Sequence, residues 1–265
     1  MFPQRKFIKK KIKKFVLPIC IGLTTIPERL KKGMTATAIQ SILNNSVIPE
    51  KIILTIPTKT MKGEEYPLQI LDKHPFNHPR VYIHYVNEDK GPILKLLGLL
   101  EFIHLHQIKH EYFILIDDDS IYPIHILRKI WSQHILQKSI QVSLGFAGRI
   151  WNPKTKILDY KTMDKYHDIK KLKVDLIETF HIALHPLSPF LLNDFQSFLN
   201  EIYLKCDKAK FTDDIVINCW LNKNNIERYI IHGPPIKVND YKTQKLSNQN
   251  LKGRNELVFT SIFLN

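Results

Sequence analysis

Glycine is scarce in this chain, 9 of 265 residues, and neither a low-complexity tract nor an internal repeat runs through it. That excludes collagen-like, linker-rich, prion-like and solenoid architectures. Cysteine is nearly absent. Cys20, Cys206 and Cys219 are too few and too scattered for a disulfide framework or a zinc ribbon, which points to a reducing, cytoplasmic setting. No stretch reaches the ~18–20 apolar residues of a membrane span. The longest early apolar run, Phe15–Ile26, contains Pro18, Thr24 and Thr25 and no small-x-small site follows it, which disfavours a signal peptide. Gly-x-Ser-x-Gly, Walker-type and Gly-x-Gly-x-x-Gly loops are also missing.

Acidic residues are missing from one place in particular. The first 14 positions hold Arg5, Lys6, Lys9, Lys10, Lys11, Lys13 and Lys14 and no acid, half of the formal net charge of +14. Ile8, Ile12 and Phe15 follow a helical spacing with lysines around them. Residues 5–16 are therefore expected to lie as a short helix on an anionic membrane surface, with a solvated basic arm as the alternative. The run has little aromatic interleaving and no binding module, so no specific nucleic acid is expected.

What is present is enough apolar residue for a core, 44 % of the chain, arranged as short apolar strands between helical patterns. Strands are expected at Phe15–Leu23, Lys51–Ile56, Val81–Val86, Tyr112–Ile116, Gln141–Ala147, Leu176–Ala183 and Tyr229–Ile231. Helices are expected at Thr35–Leu43, from Gly91-Pro92 to about Ile108, and at Ile124–Leu136, Pro189–Leu204 and Asp213–Leu221. Such alternation predicts an α/β fold with a mainly parallel central sheet flanked by helices. Ligands of such sheets bind at the carboxyl ends of the strands, so the loops after Leu23, Val86 and Ile116 are expected to converge.

The sharpest chemical signal is Asp117-Asp118-Asp119, delivered by the apolar run Phe113–Ile116. Like charges packed together need a cation. Strand alternation is expected to put Asp117 and Asp119 on one side, where a hard divalent ion, Mn²⁺ or Mg²⁺, would suit their oxygens. The competing reading is an acidic turn capping a helix that starts near Tyr122. Among the 12 histidines, His104, His106 and His110 read as surface or packing residues. His181 and His185, read on one strand, are placed with Glu178 at the border of an acceptor site. Cys20 reads as core.

The run FILIDDD resembles the Asp-x-Asp motif of GT-A-fold, nucleotide-sugar-dependent glycosyltransferases of the family 2 type. IGLTTIPER (Ile21–Arg29) looks like their first strand and donor loop, and DKGPILKLLG (Asp89–Gly98) is similar to a segment that precedes the Asp-x-Asp strand in GT-A proteins of surface-polysaccharide synthesis. DDDSIYP matches the continuation, Thr212-Asp213-Asp214 resembles the acidic pair of inverting members, and His232 stands where many place a third metal ligand. The resemblance covers about residues 17–235.

It implies one GT-A (Rossmann-like) domain over residues 17–235, after a basic segment 1–16 and before an extension 236–265 that matches nothing recognised. It implies metal-dependent, inverting transfer of one sugar from a nucleotide-sugar, a UDP-sugar first, to a hydroxyl of a glycan or glycolipid. Asp117, Asp119 and His232 would hold the metal. Thr24, Thr25, Arg29, Asp89, Lys95, Asp117 and Asp118 would meet the nucleotide, Lys95 at the diphosphate and Asp89 at base or ribose. Asp214, rather than Asp213, would be the catalytic base, with Thr212 capping its helix. The pair departs from the commoner Glu-Asp, and there is no Gln-x-x-Arg-Trp of processive synthases. A non-catalytic nucleotide-sugar-binding protein and a haloacid dehalogenase-type phosphatase, whose motif also joins apolar residues to paired aspartates, stay open as alternatives.

Overall fold

A computed structural model describes residues 14–136, 141–190, 192–238 and 253–264. The chain begins with strand β1 (Phe15–Thr24), helices α1 (Pro27–Lys31) and α2 (Met34–Leu43), and strands β2 (Val47–Pro57) and β3 (Val81–Val86). A tight 3₁₀ turn, Gly91–Ile93, leads into α3 (Leu94–Leu105), then β4 (Tyr112–Leu115), β5 (Ser120–Ile121) and α4 (Ile126–Leu136). Next come β6 (Val142–Gly145), the hairpin β7 (Ala147–Asn152) and β8 (Ile157–Thr162), β9 (Lys171–Lys173), β10 (Leu176–Ile177) and β11 (Ala183–Pro186). The rest is α5 (Leu192–Lys205), α6 (Asp213–Lys223), β12 (Glu227–Ile231), β13 (Lys237–Val238) and α7 (Arg254–Ile262).

Eight strands form one mixed sheet in the order β3-β2-β1-β4-β11-β6-β12-β9. Pairings among β3, β2, β1 and β4, and between β6 and β12, are parallel; β11 runs antiparallel between β4 and β6, and β9 runs antiparallel on β12. This is an α/β fold of Rossmann-like character. Alternate residues of each central strand feed opposite cores. Cys20, Ile53, Phe113 and Leu115 pack under α3, α5, α6 and α7, while Ile19, Ile21, Leu54, Ile114 and Ile116 pack under α2 and α4. Burial on both faces is why these strands read as continuous apolar runs.

Several expectations are corrected. Residues 176–183 are not one strand: β10 ends at Ile177, a 3₁₀ turn covers Thr179–His181, and β11 starts at Ala183. Between turn and strand, Ile182 has φ 67°, which no regular strand allows. Residues 141–147 divide between β6 and β7, and α3 stops at Leu105 rather than Ile108. Among the described residues beyond 235, β13 pairs with β5, and Val258, Phe259 and Ile262 of α7 are buried in the larger core. Residues 5–13 of the expected amphipathic helix lie outside the described residues.

Two glycines set the seat of α3. A Cβ on Gly22 would run into the carbonyl of Lys95, and one on Gly98 would run into the Thr55 side chain. The helix therefore lies directly against β1 and β2, its first turn at their carboxyl ends. Gly98→Ala should destabilise the protein by about 1–3 kcal/mol through overpacking. Urea unfolding should show Thr55→Ala recovering part of that loss in the double variant; additive losses would mean the clash is relieved elsewhere.

Candidate functional site

The strand order reverses at β1. The chain steps outward from β1 to β2 and β3, then returns to lay β4 on the other side of β1. Loops after β1 and β4 leave in opposite directions there, the crevice in which doubly wound sheets bind ligands. The first loop carries Thr24, Thr25 and, on α1, Arg29; the second carries the Asp triplet.

Because β4 ends at Leu115, strand alternation does not extend into the triplet. Asp117 turns toward α3, and Asp118 and Asp119 turn toward α1. Asp118 is the buried one, 2 % exposed. It accepts hydrogen bonds from Thr25 Oγ1 (2.5 Å) and Arg29 Nη1 (2.5 Å), and Thr25 in turn meets Thr35 Oγ1 at 2.6 Å. Arg29 Nη2 reaches Asp119 Oδ2 at 2.8 Å, so one guanidinium fork ties two carboxylates. Asp118 therefore joins the loops after β1 and β4. The Thr25 hydroxyl is bonded there, and that of Thr24 donates to the Thr55 carbonyl at 2.8 Å.

Lys95 is the second organiser. It is 3 % exposed, and its ammonium pairs with Asp117, lies 2.9 Å from Asp213 Oδ2 and donates to Thr179 Oγ1 at 2.9 Å. Burial opposes its charge, but Asp117, Asp213 and Asp214 together hold its pKa well above the usual value. Lys95 thus donates hydrogen bonds to Asp117 and Thr179 and forms an ion pair with Asp213. Asp214 Oδ1 accepts from the backbone N–H (3.1 Å) and hydroxyl (2.8 Å) of Thr179. The triplet and the acidic pair, nearly 100 residues apart in sequence, thus meet through one lysine and one threonine.

Thr179 is there because β11 is antiparallel. Ala183 pairs with Leu115, which carries the preceding turn beyond the end of β4, beside the triplet. Glu178 is buried and pairs with Arg149 of β7. The arrangement gathers Asp117, Asp118, Asp119, Asp213, Asp214 and Glu178 against Arg29, Lys95, Arg149 and a more distant Arg254. The excess of carboxylate shifts the carboxyl pKa values. Burial, then the charge of Asp117, pushes Asp119 up to about 6. Burial, then Asp213, raises Asp214 well above the carboxylate range, and burial raises Glu178 despite Arg149. Asp117 is the exception: Lys95 overcomes its burial and lowers it.

An oxygen-rich, over-acidic site of this kind fits a hard divalent cation held by one or two carboxylates and by the substrate's own phosphates. Asp117 and Asp119 are the partly exposed members. His232 is not with them. Its Nε2 lies 3.1 Å from the carbonyl of Ile169, and among the described residues no three His, Cys, Asp or Glu side chains form a ready ligand group. Asp89 accepts backbone N–H bonds on both oxygens, from Gly91 (2.8 Å) and Met61 (2.9 Å), which shapes the loop before α3. Thr212 does not cap α6; its hydroxyl donates to the Ala209 carbonyl at 3.2 Å. His185 is wholly buried and hydrogen-bonded to Ser143, away from any acceptor border, whereas His181 and Glu178 do flank the triplet. Sequence reasoning missed Thr179, Thr35 and Arg149. Only Arg149, a charge inside the apolar run Ala147–Trp151, left a signal.

No protein-family model matches this chain, and no curated protein matches it either.

Asp119 makes a pH prediction. Its folded pKa, about 6, lies above its ordinary value of 3.8, so the folded protein holds a proton that the unfolded chain has released. Stability should fall as pH rises from about 4 to 6, and the charged form costs roughly 1–3 kcal/mol above that window. Asp119→Asn should flatten this slope and be the more stable protein at pH 7 in urea unfolding. A less stable variant at pH 7 would mean that the Arg29 pair outweighs the burial.

Proposed function

We propose that this protein is a divalent-cation-dependent glycosyltransferase that moves one sugar from a nucleotide-sugar, a UDP-sugar first, to a hydroxyl of a glycan or glycolipid, with inversion. One observation carries the reading: the Asp triplet at the switch point and the acidic pair of α6 share a single buried cluster. A triplet alone suits many cation sites. A triplet joined to a second carboxylate pair provides separate groups for the leaving phosphate side and the attacking hydroxyl side. The GT-A identity of the fold belongs to the same proposal and is supported by the order of motifs and by the position of the triplet after β4.

Asp119 and Asp117 would hold Mn²⁺ or Mg²⁺. When bound, such an ion neutralises charge growing on the departing diphosphate. The chain's own residues do the rest. Arg29 and Asp118 lock the two loops that bound the crevice, so the triplet is pre-organised. Lys95 fixes Asp117 and Asp213 and keeps Thr179 in place. Asp214 has Oδ1 engaged by Thr179, leaving Oδ2 for the acceptor. The acceptor oxygen bonds to the anomeric carbon as the bond from that carbon to the phosphate oxygen breaks. The hydroxyl proton passes to the Asp214 carboxylate, and the nucleoside diphosphate leaves with the bonding pair. Asp213, facing Lys95, is less available for this role.

Isothermal titration with UDP and Mn²⁺ should give metal-dependent binding that Asp119→Asn removes. Asp214→Asn should keep that binding and lose transfer by about 10²–10⁴. Hydrolysis of p-nitrophenyl phosphate without nucleotide-sugar binding would overturn the reading in favour of a phosphatase. Full transfer by both Asp214→Asn and Asp213→Asn would remove the acidic pair from catalysis.

Peripheral membrane attachment through residues 5–16 is a further part of the proposal, supported by their basic, amphipathic sequence. No helix among the described residues is long and apolar enough to cross a membrane. Co-sedimentation with phosphatidylserine vesicles should fall with added salt and on deletion of residues 1–14, at roughly 1 kcal/mol per basic residue near the surface. Unchanged binding after the deletion would place any membrane contact elsewhere.

A further inference from the structure

The two edges of the large sheet are unlike each other. At one edge β9 is three residues long, with Lys171 and Lys173 exposed. Short strands and lysines keep other strands off an edge. At the opposite edge β3, Val81–Val86, has six residues, every one apolar, aromatic or histidine, with no lysine and no proline. Its Tyr85 is 54 % exposed. An edge of that length and composition is a template for a further strand.

The hydrogen bonds decide which backbone groups of β3 are open. Ile52 N–H donates to the Arg80 carbonyl and Thr58 N–H to the Val86 carbonyl. Even-numbered positions therefore bond inward to β2, and in a parallel pair the alternate residues, Ile83 and Tyr85, direct N–H and C=O outward. Among the described residues β2 is the one strand paired with β3. Val81 also points outward, but its N–H is already donated to the His78 carbonyl at 2.8 Å.

We propose that a second copy of this chain pairs with β3, antiparallel and about a two-fold axis at His84, so that two sheets join into one. With that axis, Ile83 and Tyr85 of each copy face Tyr85 and Ile83 of the other, and their open N–H and C=O groups bond across. An axis at Ile83 would instead set Tyr85 against Val81, whose N–H is taken. Charge favours the same register. Arg80 leads into β3 and Glu88 follows it, so the His84 axis sets the basic end of each strand beside the acidic end of the other. Arg80 donates one guanidinium nitrogen to the carbonyls of Pro49 and Glu50 and has no carboxylate partner among the described residues. The Glu88 side chain is 76 % exposed, with Lys90 no closer than 3.8 Å. On the α3 side, Tyr82 of one copy comes opposite Val86 of the other, where a cavity of about 320 Å³ is lined by Val86, Leu94 and Leu97. Each His84 is held through Nε2 by Glu101 of its own chain at 2.7 Å, so the imidazoles turn to their own helices. An isologous contact uses up the open edge of each copy, and assembly stops at two.

One strand pair is a small interface, so the dimer should dissociate on dilution, with Kd on the order of 10 µM. Sedimentation velocity of the full chain, from well below to well above that concentration, should show monomer passing to dimer. Tyr85→Lys puts a charge on the open edge, and Ile83→Pro removes an outward N–H while leaving the bonds to β2. Each should weaken the dimer at least about tenfold. Glu88→Arg and Arg80→Glu should each weaken it too, and a mixture of those two variants should recover a dimer, since opposite charges then meet at both ends. Far-UV circular dichroism should match the wild type in all four. A monomer at every concentration, a dimer untouched by Tyr85→Lys and Ile83→Pro, or growth beyond two copies would overturn the β3 pairing. A mixture that stays monomeric would overturn the His84 axis.

Discussion

A buried ammonium holds this site together. Lys95 stands in the first turn of α3, where the helix dipole already disfavours positive charge, and it is shut away from water. Both effects would expel it if Asp117, Asp213 and Asp214 did not surround it. The dependence runs the other way as well. Those carboxylates come from a strand end and a distant helix, and without the lysine they would repel one another apart. The close approach of α3 to β1 over Gly22 is what brings Lys95 near enough to join them.

Arg29 does for the other half of the triplet what Lys95 does for the first. One guanidinium holds Asp118 and Asp119, and Asp118 hands the constraint on to Thr25 and Thr35. The two cations divide three consecutive carboxylates between two sides of the crevice. Asp118 becomes a strut, and Asp117 and Asp119 stay at the mouth. An over-acidic residue of charge remains, which is the physical basis for expecting a divalent ion there. On the far side, antiparallel β11 carries its leading turn to the same point, adding Thr179, Glu178 and His181.

Much of this was legible in the residues. Apolar runs bounded by turn signals located the central strands to within a few residues, and the loops after β1 and β4 do converge. The triplet and the Thr212-Asp213-Asp214 segment were recognisable as chemistry because carboxylates in such number need a reason. The individual roles were less legible. Thr25, Asp118 and Lys95 read as ligand contacts because they are polar residues on strand-end loops and on the first turn of a strand-end helix. In the folded chain Thr25 and Arg29 bond Asp118, and Lys95 bonds Asp117 and Thr179. His232 read as a metal ligand by its place in the order of motifs, yet it bonds to the Ile169 carbonyl. Composition and spacing report which groups are available and say nothing of which are already partnered.

The sequence by itself determined the α/β class, the carboxylate-rich character of the site and the strand that delivers the triplet. These follow from hydrophobic periodicity and local charge, which act over a few residues. Only the tertiary structure decided that Lys95 and Arg29 split the triplet, that Thr179 bridges to Asp214, and that Arg149 and Tyr160 stand beside Glu178. Those contacts depend on strand direction, on the left-handed turn residue Ile182 before β11 and on the close seat of α3. Each of these is set by packing between segments far apart in the chain, where local pattern carries no information.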